Sequence, residues 1–181
     1  MKKIILITAC TLFAISGWSQ ENRITLSGGY SFANIEDTEV KATGWRINAV
    51  YEFNPEGGKF AHGLSVGYVN ISGEETQSIT TTYDIGAWPI YYAPKFLFGS
   101  DKAKGFVKGA IGWQFSNLER SGALILEDND AGFTGGGGAG LMYNLSEKVC
   151  LSAEYELLWL SNSFYKDGWL NTASVGLGIK F

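Results

Sequence analysis

Apolar and polar residues alternate along this chain in short runs, and no stretch beyond residue 19 carries a convincing 3.6-residue period. The alternation is sharpest at Val149, Leu151, Ala153, Tyr155, Leu157 and Trp159, which take every second position. It recurs in 169–181, where Val175, Leu177, Ile179 and Phe181 interleave with Ser174, Gly176, Gly178 and Lys180. Strand side chains point alternately to two faces, so each run predicts a strand with one apolar face and one small or charged face. Eight such segments are bounded by turn residues: 23–35, 42–53, 60–72, 80–98, 105–118, 132–145, 149–161 and 169–181. No linker or shift of composition divides them, and a single domain is expected.

The connections alternate as well. Tight turns fall at 54–58, 99–104 and 146–148, and mostly longer polar stretches at 36–41, 73–79, 119–131 and 162–168. Short turns on one side and long loops on the other are the habit of an up-and-down barrel in an outer membrane. The expected fold is therefore all-β, an eight-stranded antiparallel transmembrane β-barrel. Its lipid-facing rows would be Ile24, Leu26, Tyr30 and Phe32; Trp45, Ile47, Ala49, Tyr51 and Phe53; Phe60, Leu64, Val66 and Tyr68; and Val107, Ile111, Trp113 and Phe115. Trp45, Trp88, Trp113, Trp159 and Trp169 gather on the loop side, and Phe53, Phe60, Phe96, Phe98, Tyr143 and Phe181 on the turn side. Such barrels carry two aromatic girdles about 25 Å apart. Residues 85–94 are apolar on both parities and contain Pro89 and Pro94, which predicts a bulge or weakened pairing there.

The opposite parity carries charge: Arg46, Glu52, Lys108, Glu154, Glu156 and Lys180, with Lys95 joining if the fourth strand faces the same way. A Lys or Arg on the lipid face costs ~2–4 kcal/mol at the bilayer midplane, so these side chains belong inside. Eight strands enclose a space that side chains just fill, and buried charges there must pair. Arg46 is expected in the upper half, Glu154 and Glu156 at mid-depth, and Glu52, Lys108 and Lys180 lower, with Glu52 as partner of Lys180. The expectation is a salt-bridged plug.

Lys2 and Lys3, the apolar run Ile4 to Ile15, and the small-x-small site Gly17-Trp18-Ser19 predict a cleaved secretory signal peptide at 1–19, leaving a barrel domain at 20–181. Ile7-Thr8-Ala9-Cys10 loosely resembles a lipoprotein box, but the apolar stretch before Cys10 is short and continues past it. Without the peptide, Cys150 is the one cysteine, which excludes an internal disulfide and a cysteine-based metal site. The net charge of −4 becomes two units more negative when Lys2 and Lys3 leave, which argues against nucleic acid as a partner.

Taken together, the leader, the eight alternating runs, the small turns and the closing Val175-Gly176-Leu177-Gly178-Ile179-Lys180-Phe181 resemble the OmpA/OmpX-type outer-membrane β-barrel family. The resemblance covers the whole chain after the leader. It implies residence in the bacterial outer membrane, contact with outer-membrane lipid and lipopolysaccharide, and a structural, adhesin-like or virulence-associated surface role. It also implies handling by periplasmic chaperones and the barrel-insertion machinery, which would read Val175, Leu177, Ile179 and Phe181 as an insertion signal.

Catalytic signals are weak beside this. Gly135-Gly136-Gly137-Gly138-Ala139-Gly140 matches G-x-G-x-x-G, yet Leu141-Met142-Tyr143-Asn144-Leu145 continues as a strand where a dinucleotide site needs a helix, and no cofactor is expected. Glu154 and Glu156 share a face, but a packed interior leaves no cleft for a substrate, so a charge network is the better account. A lipid A-modifying enzyme is the main alternative; the only histidine, His62, lies near a periplasmic turn without a serine partner, and no catalytic residue is assigned. A narrow pore, a component of a larger envelope assembly, and a soluble lipocalin-like binder are further alternatives, although lipocalins usually add a helix after the last strand. In 119–131, Leu124, Ile125 and Leu126 lie between charged residues. They are either a contact site for an extracellular protein or surface ligand, or the end of a hairpin projecting beyond the membrane.

Deleting Phe181 is expected to lower the fraction of chains inserted into outer membranes in cells, while the melting temperature of the refolded barrel in detergent stays nearly unchanged. Equal insertion would remove its role as a signal.

Overall fold

Each alternating run forms a strand, and the strands pair in chain order, every neighbour antiparallel. The computed structural model describes residues 20–36, 38–55, 58–76, 80–122, 125–161 and 164–181; the expected signal peptide, 1–19, lies outside them. The strands are β1 (Gln20–Asn34), β2 (Lys41–Pro55), β3 (Phe60–Thr76), β4 (Thr80–Tyr92), β5 (Lys95–Gly99), β6 (Ala103–Ser121), β7 (Ile125–Asn144), β8 (Val149–Leu160) and β9 (Trp169–Lys180), with a short 3-10 turn at Lys166–Gly168. β1 pairs with β2 on one side and with β9 on the other, from Arg23 opposite Lys180 to Phe32 opposite Asn171. The sheet therefore closes on itself. No helix among the described residues is long and apolar enough to cross a membrane.

The fourth strand of the ring is split into β4 and β5, and the split is not a bulge. Tyr92 stands opposite Leu64 and Ile111; three residues on, Lys95 stands opposite Ala61 and Lys108. Register is thus unchanged across Ala93-Pro94. Pro94 has no donor, while its carbonyl accepts from Gly109 N–H at 2.9 Å and Ala93 N–H donates to the Gly63 carbonyl at 2.8 Å. Facing is settled as well: Tyr91, Lys95 and Leu97 are buried inside, whereas Trp88, Ile90, Tyr92, Phe96 and Phe98 are exposed outside.

Two polar connecting stretches are largely strand: the one after β3, expected as a loop, and 119–131, where the projecting hairpin is one of the two expected accounts. β3 runs to Thr76 and β4 starts at Thr80, and β6 and β7 pair up to Ser121 opposite Ile125, so 119–131 is mostly hairpin. Apart from the apolar 123–126, these residues are mostly polar because both faces meet water above the membrane, and the ladder does not require an apolar face there. β6 and β7 have 19 and 20 residues against 12 each for β8 and β9, so the wall is much taller on one side.

The outer surface is apolar as the alternation implies: Leu26 and Val175 are 63% and 68% exposed. Inside, the filling differs from the small and charged face expected. The loop-side half holds an apolar cluster that includes Ile35, Val40, Ile71, Ile85, Leu118, Leu158, Leu160 and Leu170. The turn-side end holds a smaller one, of Ala61, Leu97, Phe106, Met142 and Cys150. Leu158 and Leu170 are completely buried.

Truncating Leu158 to Ala opens a void that the barrel wall cannot collapse to fill, and is expected to cost about 2–5 kcal/mol. Leu177→Ala, on the outside where lipid follows the surface, is expected to cost less. Urea titration of both variants in lipid vesicles measures the difference.

Candidate functional site

Between the two apolar clusters lies a layer of charge, and glycines make room for it. Lys108 on β6 stands opposite Gly138 on β7, and Gly138 stands opposite Glu156 on β8. Phe106, Gly140 and Glu154 line up in the same way. A Cβ on Gly138 would sit 3.3 Å from Lys108 Cε, and one on Gly140 2.5 Å from Phe106 Cζ. The G-x-G-x-x-G match is therefore a strand whose bare positions let long side chains from both neighbours reach across.

Glu156 is the hub of the upper tier. Its Oε2 accepts from Arg46 Nη1 at 2.5 Å, and its Oε1 accepts from Tyr91 Oη at 2.7 Å and lies 2.9 Å from Lys108 Nζ. Arg46 Nη2 donates to Tyr91 Oη at 2.9 Å, so the phenol relays between cation and carboxylate. Lys108 also pairs with Glu154, which keeps it at the level of these carboxylates rather than lower beside Glu52. Arg46, Tyr91, Lys108 and Glu156 are all buried.

A lower tier centres on Glu52. Lys95 Nζ lies 2.6 Å from Oε1, and Arg23 Nη1 3.5 Å from Oε2. Arg23 stands between Glu52 on β2 and Lys180 on β9 in the ladder, occupying the place beside Glu52 expected for Lys180. Lys180 itself is half-buried on the inward row at the end of β9. Lys95 and Lys108 are directly opposite each other, a like-charge pair that is destabilising unless each has an acid of its own. Glu52 serves one, and Glu154 and Glu156 the other.

Sequence reasoning missed Arg23 and Tyr91. The parity of Thr25, Ser27 and Ser31 on β1 would have found the first. The second is hidden because its strand is apolar on both faces.

The mouth on the loop side is covered. Ile35 bridges Tyr165, Glu36 N–H donates to the Phe164 carbonyl at 2.9 Å, and Lys166 Nζ lies 3.4 Å from Glu39 Oε1. Tyr165 is buried over Gln114, whose Nε2 donates to Ser116 Oγ at 2.9 Å and to Tyr165 Oη at 3.4 Å. Burial holds the Tyr165 phenol above its ordinary titration range.

The remaining expected residues sit apart from this layer. Val175, Leu177, Ile179 and Phe181 form an exposed outward row. Leu124 is outside the described residues; Ile125 and Leu126 are exposed at the far end of β7, on opposite faces of the strand. His62 is outside the wall, sharing a 2.6 Å hydrogen bond with Tyr92 Oη and lying edge-on to Phe60 at 5.0 Å.

The sequence model of the outer membrane protein beta-barrel domain matches residues 5–181. Among solved structures, the chain is similar to Neisserial surface protein A, with a TM-score of 0.63 and 11% identity over 88% of this chain and 97% of that one. It is similar to Ail, the attachment invasion locus protein of Yersinia pestis, at 0.57 and 18%, over 91% of this chain and all of that one (100%). A major outer membrane protein from Thermus thermophilus gives 0.63 and 9%, over 91% and 100%. At these identities the likeness is one of fold. No curated protein matches the chain.

Replacing Glu156 with Gln leaves Arg46 and Lys108 without their shared acid and is expected to cost about 3–5 kcal/mol, the penalty of a buried charge that loses its partner. Glu154→Gln should cost less, because Lys108 keeps Glu156. Equilibrium unfolding of the two variants in urea checks the order.

Proposed function

The chain belongs to the outer membrane protein β-barrel family, and from that premise we propose that it is a closed integral barrel whose role, structural or in surface interaction, is exercised at its extracellular rim. The observation that carries this reading is the filling of the interior. A doubly tiered charge network lies between two apolar clusters, and Tyr165 covers the loop-side mouth. Water-filled conduction needs a continuous polar path, and Ile71, Ile85, Leu158 and Leu170 stand across it.

The signal peptide at 1–19 would export the chain, and the tight turns would then face the periplasm. The tall β6–β7 hairpin would rise outside the cell, with Ile125 and Leu126 at its exposed end. A relative in fold named for attachment and invasion supports a surface role. Acyl transfer or hydrolysis finds little support: His62, the only histidine, is turned to the outside among aromatic rings.

Purified protein reconstituted into planar bilayers is expected to give no stable conductance. A large, sustained single-channel current would overturn the closed-barrel reading.

A further inference from the structure

β6 and β7 pair along their whole lengths, but the other side of β7 is served only in part. β8 accompanies it from Asn144 to Thr134, where Thr134 faces Leu160. One step further, Ser161 N–H donates to the Phe133 carbonyl at 2.9 Å, and Phe133 N–H donates to Ser161 Oγ at 3.0 Å. From Ile125 to Gly132, β7 has a neighbour on one side only among the described residues.

In an antiparallel strand, alternate residues direct their N–H and C=O to the same neighbour. Phe133 directs its groups toward β8, so Ala131, Asn129, Glu127 and Ile125 direct theirs to the vacant side. One of these donors is occupied from within the strand: Ala131 N–H bonds Asp130 Oδ1 at 2.7 Å. The bare edge is long enough for a full strand.

Charge says what could cover it. Edges are commonly guarded by charged side chains, and here the guard has one sign: Glu127 on the outer face, Asp128 and Asp130 on the inner, with no Lys or Arg between Ile125 and Gly132. A second copy pairing about a two-fold axis would set this acidic run against itself, which opposed like charges disfavour. At the foot of the edge, a recess of about 450 Å³ carries Glu36, Asp130 and Asp167 beside Trp159.

We propose that the β7 edge from Ile125 to Gly132 docks an extended, basic segment of another protein. The segment adds as a strand, sets Lys or Arg side chains against Glu127, Asp128 and Asp130, and reaches the acidic recess with its end. Main-chain bonds supply affinity and side-chain register supplies selectivity. The inference rests on the extracellular placement of the hairpin in the reading above.

The test uses the whole protein in lipid nanodiscs and a short fluorescent peptide of alternating Lys and Val, with a Glu-for-Lys counterpart. The basic peptide is expected to bind, to weaken as salt rises, and to slow amide exchange at Ile125, Glu127 and Asn129; the acidic peptide is expected not to bind. Asn129→Pro removes a donor that faces the vacant side and leaves the β6 ladder whole, so affinity should fall about tenfold while the melting temperature holds. Asp128→Asn with Asp130→Asn should weaken binding at low salt and spare it at high salt. Equal binding by wild type and Asn129→Pro, equal binding of the acidic peptide, or exchange protection confined to other residues overturns the proposal. Conductance is read separately, so a silent bilayer with no peptide binding removes the edge site and leaves the closed barrel standing.

Discussion

In hydrocarbon there is no water to accept a stray hydrogen bond, and each unmet backbone group costs several kcal/mol. That constraint governs the rest of this molecule. It forces the sheet into a ring, so that β1 finds β9, and it tolerates Pro94 only because the neighbouring Ala93 and Gly109 donors still have carbonyls to meet. Once the ring is closed at this size, the interior has a fixed and small volume. Everything that points inward must fit together, and charges can enter only with partners.

The filling meets that demand in layers rather than as a uniform salt-bridged plug. Apolar side chains occupy both ends, and the carboxylates of Glu52 and Glu156 organise the cations between them. Gly138 and Gly140 are the complement of this crowding, since a side chain at the first would press on Lys108 and one at the second on Phe106. Packing and electrostatics thus lean on the same two bare positions.

Much of this is legible in the residues, and for an identifiable reason. Where water or lipid contrasts with the interior, period-two alternation reports the facing directly, as in Val149 to Trp159. The contrast fails in two places. In 85–94 both faces are apolar, because one meets lipid and the other meets the apolar interior, and that conceals Tyr91. In 119–131 most positions on both faces are polar, because both meet water, and the pattern leaves a strand and a loop hard to tell apart. Arg23 escapes notice because it lies at the start of its run, before the alternation is established. Leu158 and Leu160 carry the same lesson, since apolar residues inside a membrane barrel look like an interruption of the pattern.

The opposed pair Lys95 and Lys108 ties the two tiers together. Each lysine is tolerable because a different acid attends it, so the upper and lower networks share a boundary along which the charges repel. Losses of Glu52 and of Glu156 are then not independent events. Removing the first leaves Lys95 to draw on the acids that serve Lys108, and the second loss falls on a network already short of negative charge, so the joint penalty exceeds the sum of the separate ones. A drifting sequence could shed one of these acids only after replacing the lysine that it attends across the interior, which makes the order of substitution, and not merely its content, part of what this interior permits.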